Sequence, residues 1–212
     1  MKTILLFFIL FSSIVYSDPF TLNKNDEKVI KNHFYHSQIV ARYKQFNNFI
    51  KTTKKYNEIK KLNRVNSFIN RILPEHDAVA QNNEDHWSTP KEFLINGRGD
   101  CEEYAITKYF TLTKLGIQKQ KLYLAIVKVQ RAKGMHMVLL YFKTPNSIPL
   151  VLDNLSWRVL HLNKRKDLKV KVLFNEVNNY TLKNNLLDKK VNIEWGKLNR
   201  WEDILNRINL GK

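Results

Sequence analysis

Gly97-Arg98-Gly99-Asp100-Cys101-Glu102-Glu103-Tyr104-Ala105 runs a glycine-rich turn into a segment of helical apolar spacing, and it carries the only cysteine of the chain. Ala105, Ile106, Tyr109, Phe110, Leu112 and Leu115 extend that spacing as a broad apolar surface that Gly116 terminates, which predicts a buried central helix. A thiol at the start of such a helix faces backbone N–H groups without intrahelical partners and the positive end of the helix dipole, both of which favour a thiolate. A small buried hydrophobe is the ordinary role of a free cysteine, and the helix-start position argues for reactivity instead.

Downstream, the apolar runs Leu122 to Val129, Met135-His136-Met137-Val138-Leu139-Leu140-Tyr141-Phe142 and Leu150-Val151-Leu152-Asp153 read as strands, separated by turn-rich segments at Lys133-Gly134 and Thr144-Pro145-Asn146-Ser147. A further strand is expected near Val172 to Val177 and a closing helix over Trp201 to Ile208. A helix followed by antiparallel strands is an α+β arrangement. Upstream, Val29, Ile30, Ile39, Val40, Tyr43, Phe46, Phe49 and Ile50 recur at helical spacing, as one long helix or two. A second helical pattern from Ile59 through Ile72 should stop at Pro74, which lacks the next N–H. Residues 75–99 read as polar and irregular, anchored at Trp87 and Pro90.

Residues 1–17 have the pattern of a secretory leader: Lys2, a short apolar run, then Val15 and Ser17 before a cut at Asp18. The expected divisions are therefore a signal peptide at 1–17, an N-terminal helical segment at 18–75 and a core at 76–212. Export to an oxidising compartment leaves a lone cysteine without an internal disulfide partner, consistent with a thiol kept for chemistry. Residues 1–17 carry Lys2 as their one charge, so the net charge of +17 falls to +16 in the mature chain. The basic residues are mostly lysines dispersed among asparagines, not an arginine patch interleaved with aromatics, so nucleic acid is not an expected partner. The N-x-Ser/Thr matches at Asn154 and Asn179 read as chance in an asparagine-rich chain.

Nucleophilic catalysis needs a base near sulfur and a third group that orients it. Cys101, His136 and Asp153 supply one candidate for each role, in chain order. Taken singly, His136 also reads as a core histidine bonded to a carbonyl, and Asp153 as a strand-end turn residue. The histidines at positions 33, 36, 76, 86 and 161 suggest no zinc site. Asp100, Glu102 and Glu103 surround the sulfur with negative charge, which disfavours a thiolate. They either complement the helix dipole or bind a hard cation such as calcium through oxygen.

The run Lys61-Leu62-Asn63-Arg64-Val65-Asn66-Ser67-Phe68-Ile69-Asn70, with Trp87-Ser88-Thr89-Pro90-Lys91-Glu92-Phe93, Gly99-Asp100-Cys101-Glu102-Glu103-Tyr104-Ala105-Ile106-Thr107-Lys108-Tyr109, His136-Met137-Val138-Leu139 and Leu150-Val151-Leu152-Asp153-Asn154, resembles the bacterial transglutaminase-like cysteine proteinases of the LapG type. The resemblance implies a papain-like, transglutaminase-type core and a periplasmic endopeptidase with the triad Cys101, His136 and Asp153. It implies Ca2+ held by Asp100 and Glu102 with Glu103 adjacent, where the family's usual aspartate is one methylene shorter. It also implies a large secreted adhesin as substrate, cut near its N-terminus at a dialanine site to control biofilm attachment. An inner-membrane cyclic di-GMP receptor is the implied inhibitor. Two other readings of the same residues remain: a transglutaminase or amidase acting on envelope peptides, and a non-catalytic binding protein in which Cys101 is structural.

Overall fold

The computed structural model describes residues 17–74, 86–196 and 198–210. The expected leader lies outside these residues except for Ser17, and so does His76. No helix among the described residues is long and apolar enough to cross a membrane.

The N-terminal helical pattern resolves into two helices, α1 (Lys24–Lys31) and α2 (His36–Thr53). Asn23 and Asp26 form a reciprocal capping box at the start of α1, and Asp26 also pairs with the buried Lys91 at 2.7 Å. The third helix, α3 (Glu58–Ile69), ends earlier than the proline predicts. Asn70 caps it, the Ile72 carbonyl accepts from the Tyr104 hydroxyl, and Leu73–Pro74 (β1) instead pairs in parallel with Arg98–Gly99 (β2). Between those strands lies α4 (Pro90–Asn96), capped by a Thr89–Glu92 box with Pro90 in its first turn. Gly97 closes α4 at φ +70°, and a Cβ there would meet the Arg42 guanidinium, which caps the Leu94 and Ile95 carbonyls at 2.6 and 3.1 Å.

The central helix is α5 (Cys101–Lys114), where the sequence places it. It packs against the strands β3 (Leu122–Val129), β4 (His136–Tyr141) and β5 (Leu150–Asp153). With β6 (Ser156–His161), β7 (Leu168–Phe174), β8 (Asn179–Lys183) and β9 (Leu186–Lys190), these form one sheet in the order β6-β5-β4-β3-β7-β8-β9, every neighbouring pair antiparallel. The last element is α6 (Arg200–Asn209), whose Trp201, Ile204 and Ile208 are buried. The fold is α+β, as the sequence predicts.

Strands β3 and β4 read as continuous apolar runs because both faces of the sheet are covered. Leu122, Leu124, Met137, Leu139 and Tyr141 join the core against the helices, while Tyr123, Ala125, Val127, Val138, Leu140 and Phe142 form a second apolar cluster. Leu62, Val65 and Ile69 of α3 share the first core with Ile106 and Tyr109 of α5, so α3 is packed directly on the helix that carries the cysteine.

Candidate active site

Asp100 is the N-cap of α5 and Cys101 its first residue. The turn before them requires Gly99, because a Cβ there would come within 2.9 Å of the Phe93 ring and 3.0 Å of the Glu103 Cβ. Glu103 completes the cap. One of its oxygens accepts the Asp100 N–H at 3.0 Å, and the other accepts the Ser88 N–H at 2.8 Å. The Trp87–Thr89 segment is thereby tied to the helix start, and Arg207 of α6 holds it from behind through the Trp87 carbonyl and the Glu92 carboxylate.

Cys101 is half-buried, and its thiol donates to Glu102 Oε2 at 2.9 Å. Burial, the Glu102 charge and that hydrogen bond hold the thiol above its ordinary range, while the Met137 N–H, bonding to the sulfur, pulls the other way. That amide belongs to the residue after His136, so the helix start and the start of β4 meet at the sulfur. At the first residue of β4, His136 places Nε2 2.8 Å from Asp153 Oδ1.

Asp153 is 1% exposed and multiply bonded. Its Oδ1 also accepts the Leu155 N–H at 2.9 Å, and its Oδ2 takes Arg165 Nη2 at 2.8 Å, the arginine being braced in turn by Asp167. Burial would raise its pKa, but the His136 hydrogen bond and charge, the Leu155 N–H and Arg165 bring it down to about 2. The carboxylate is therefore ionised and can only accept, which makes His136 Nε2 the donor and leaves the lone pair of the neutral ring on Nδ1. That is the tautomer a general base needs.

The oxygens of Asp100 and Glu102 and the Cys101 sulfur lie within 4.8 Å of one another, and Glu103 adjoins through a side-chain contact with Asp100. Burial, then the hydrogen bond and charge of Asp100, raise Glu102 to about 8 and Glu103 to about 9. Three crowded carboxyl groups, Glu103 buried and Asp100 and Glu102 partly so, form a donor set short of positive charge, and hard oxygen ligands suit calcium or magnesium better than zinc. Glu103 has both oxygens occupied by backbone N–H groups, one by Asp100 in the capping box and the other by Ser88, so Asp100 and Glu102 are the better placed ligands. The Asp100-x-x-Glu103 spacing is the sequence signal for that cap. Sequence reasoning missed Arg165 and Arg207, whose partners at the site, Asp153 for the first and Trp87 and Glu92 for the second, are not their neighbours in sequence. His33 and His36, by contrast, bond the Tyr35 N–H and the Ile30 carbonyl around the α1–α2 turn.

The family model of the bacterial transglutaminase-like cysteine proteinases matches residues 35–171. Among solved structures, the chain is similar to calcium-bound Legionella pneumophila LapG, with 31% identity over 86% of this chain and 96% of that one, at a TM-score of 0.70. It is similar to the EGTA-treated form of the same protein, with 30% identity over 90% and 99% of the two chains, at a TM-score of 0.72. The sequence has no match among the curated proteins.

Proposed function

The chain belongs to the bacterial transglutaminase-like cysteine proteinases, and from that premise we propose that it is a calcium-dependent periplasmic endopeptidase acting through Cys101, His136 and Asp153. The observation that carries the reading is the 2.8 Å bond from His136 Nε2 to a buried, ionised Asp153, beside a helix-start thiol that meets the next residue of the same strand.

In the mechanism, Asp153 fixes the imidazole with Nδ1 as the basic nitrogen. Nδ1 takes the proton of Cys101, and the sulfur attacks a peptide carbonyl of the substrate. The N–H of Cys101 and a group of the Trp87 segment receive the developing oxyanion. Nδ1–H then protonates the leaving amine, and the ring activates water to hydrolyse the thioester. Asp100 and Glu102, with Glu103 adjacent, would hold the calcium ion, whose charge offsets the carboxylates around the sulfur. The calcium-bound and EGTA-treated forms of the Legionella relative support calcium as the ion.

The substrate is a large secreted adhesin, cut in its N-terminal region in a way that controls biofilm attachment, and an inner-membrane cyclic di-GMP receptor is the inhibitor. The test is to incubate the purified protein with a dialanine-containing N-terminal adhesin fragment and an amine acceptor, with calcium or with a chelator. Cleavage that needs calcium and is lost in Cys101→Ser is expected. Crosslinking to the amine without cleavage would overturn the protease reading.

A further inference from the structure

Asp153 and Ser156 are opposite partners at the end of the β5–β6 hairpin, separated by the two-residue loop Asn154-Leu155. The backbone of this hairpin end is held from one side by α3. Asn70 Nδ2 donates to the Asp153 carbonyl at 2.9 Å and to the Ser156 carbonyl at 3.1 Å, and Asn66 Nδ2 donates to the Ser156 carbonyl at 2.8 Å. Residues 66 and 70 are one helical turn apart and so share a face, and Asn66 is completely buried. Asparagine on the core face of a helix is costly, since any polar atom left without a partner bears its full desolvation penalty. Both Asn66 Oδ1 and Asn70 Oδ1 are buried acceptors lacking donors, and so is Asn154 Oδ1 in the hairpin loop itself.

Lys108 of α5 is completely buried, its Nζ makes no hydrogen bond and lies 5.8 Å from the Tyr104 ring centroid, and Asp153 is the carboxylate whose charge it senses. Helices α3 and α5 pack on each other, and both touch β5. A buried amino group with several donors and a set of amide oxygens short of donors thus lie on mutually packed elements around the same turn. Their hydrogen-bonding capacities are complementary.

We propose that Asn66, Asn70 and Lys108 form a buried polar bracket whose purpose is to position Asp153. They are positioning residues that touch neither substrate nor sulfur and act through the turn that carries the carboxylate. The inference rests on the triad reading above. It explains why three polar side chains occupy sites where leucine and methionine would fill the same space more cheaply. The Leu155 N–H and Arg165 fix the carboxylate oxygens, and the bracket fixes the backbone they hang from.

The test uses the purified protein with 15N-labelled histidine. The Nε2–H of His136, assigned by its loss in His136→Gln, should be protected from solvent exchange by Asp153. If that protection is missing in the wild type or survives Asp153→Asn, the triad reading has failed, and the bracket with it. With the wild type protected, Asn70→Leu and Lys108→Met are compared for exchange of that N–H and for steady-state cleavage. The bracket predicts exchange at least tenfold faster and kcat lower by tenfold or more, with KM unchanged. It further predicts that Lys108→Met is more stable than the wild type and yet slower, a combination that a merely structural lysine would not give. Should Asn70→Leu fail to fold, Asn70→Ser, which keeps a shorter donor, takes its place beside Lys108→Met. Folded variants with wild-type N–H protection and wild-type kcat overturn the proposal.

Discussion

Replacing Lys108 with methionine should stabilise the protein most at neutral pH and progressively less as the solution becomes alkaline. The lysine is fully buried, and burial, partly offset by the charge of Asp153, lowers its pKa from 10.5 to about 7. The folded value lies below the unfolded one, so the unfolded chain binds the extra proton between about pH 7 and 10.5. The penalty is therefore fully present below pH 7 and disappears as pH rises through the unfolded value. A difference of that size at about 1.4 kcal/mol per unit sets a ceiling of about 5 kcal/mol, and relaxation around the amine reduces it to a few kcal/mol. Methionine has nearly the same length and leaves no charge to desolvate. Urea unfolding of both proteins from pH 6 to 10.5 measures the effect, and the difference between them removes the contribution of every group they share. The two stability curves should converge as pH rises. Curves that run parallel across the whole range would refute the account of Lys108 as a desolvated amine.

Asp153 gives the opposite limb. Its folded pKa of about 2 lies below the unfolded value, so its contribution of about 2 kcal/mol is complete above pH 4 and is lost as pH falls through 2. Denaturant unfolding between pH 5 and 2.5 should show this slope in the wild type and lose it in Asp153→Asn; identical slopes would contradict the buried ion pair. Gly99→Ala pushes a Cβ into Phe93, which has no room to yield, and into Glu103, at a cost of about 2 kcal/mol. For a chain of this size that is a fall of roughly 4–8 °C in Tm by calorimetry, and an unchanged Tm would show that the turn is looser than described.

The central helix and the strands at 122–129 and 150–153 were legible because their apolar periods are strong and their ends are marked by glycine, a cap or a turn. Strands β6, β8 and β9 were not, because they lie toward the sheet's edges, where polar residues such as the half-exposed Ser156 and Asn179 and the exposed Lys189 erase the alternation. Helix α4 carries its own signal in Thr89-Pro90-Lys91-Glu92 and Gly97, a capping box with a glycine stop, inside a stretch whose overall polarity reads as loop. At the site, Cys101, His136 and Asp153 stand out by residue type and order. Arg165 and the Asn66–Asn70 pair do not, since a surface arginine and a buried one look alike in sequence. Two asparagines four residues apart within an apolar face are the one local hint of a buried polar role.

The claim on which the rest depends is that His136, held by Asp153, activates the sulfur of Cys101. The direct measurement is the rate of Cys101 alkylation by iodoacetamide in the presence of calcium, for the wild type and for His136→Ala. The account predicts a wild-type thiol that reacts much faster than free cysteine and loses that advantage without the imidazole. Equal rates in the two proteins would contradict it.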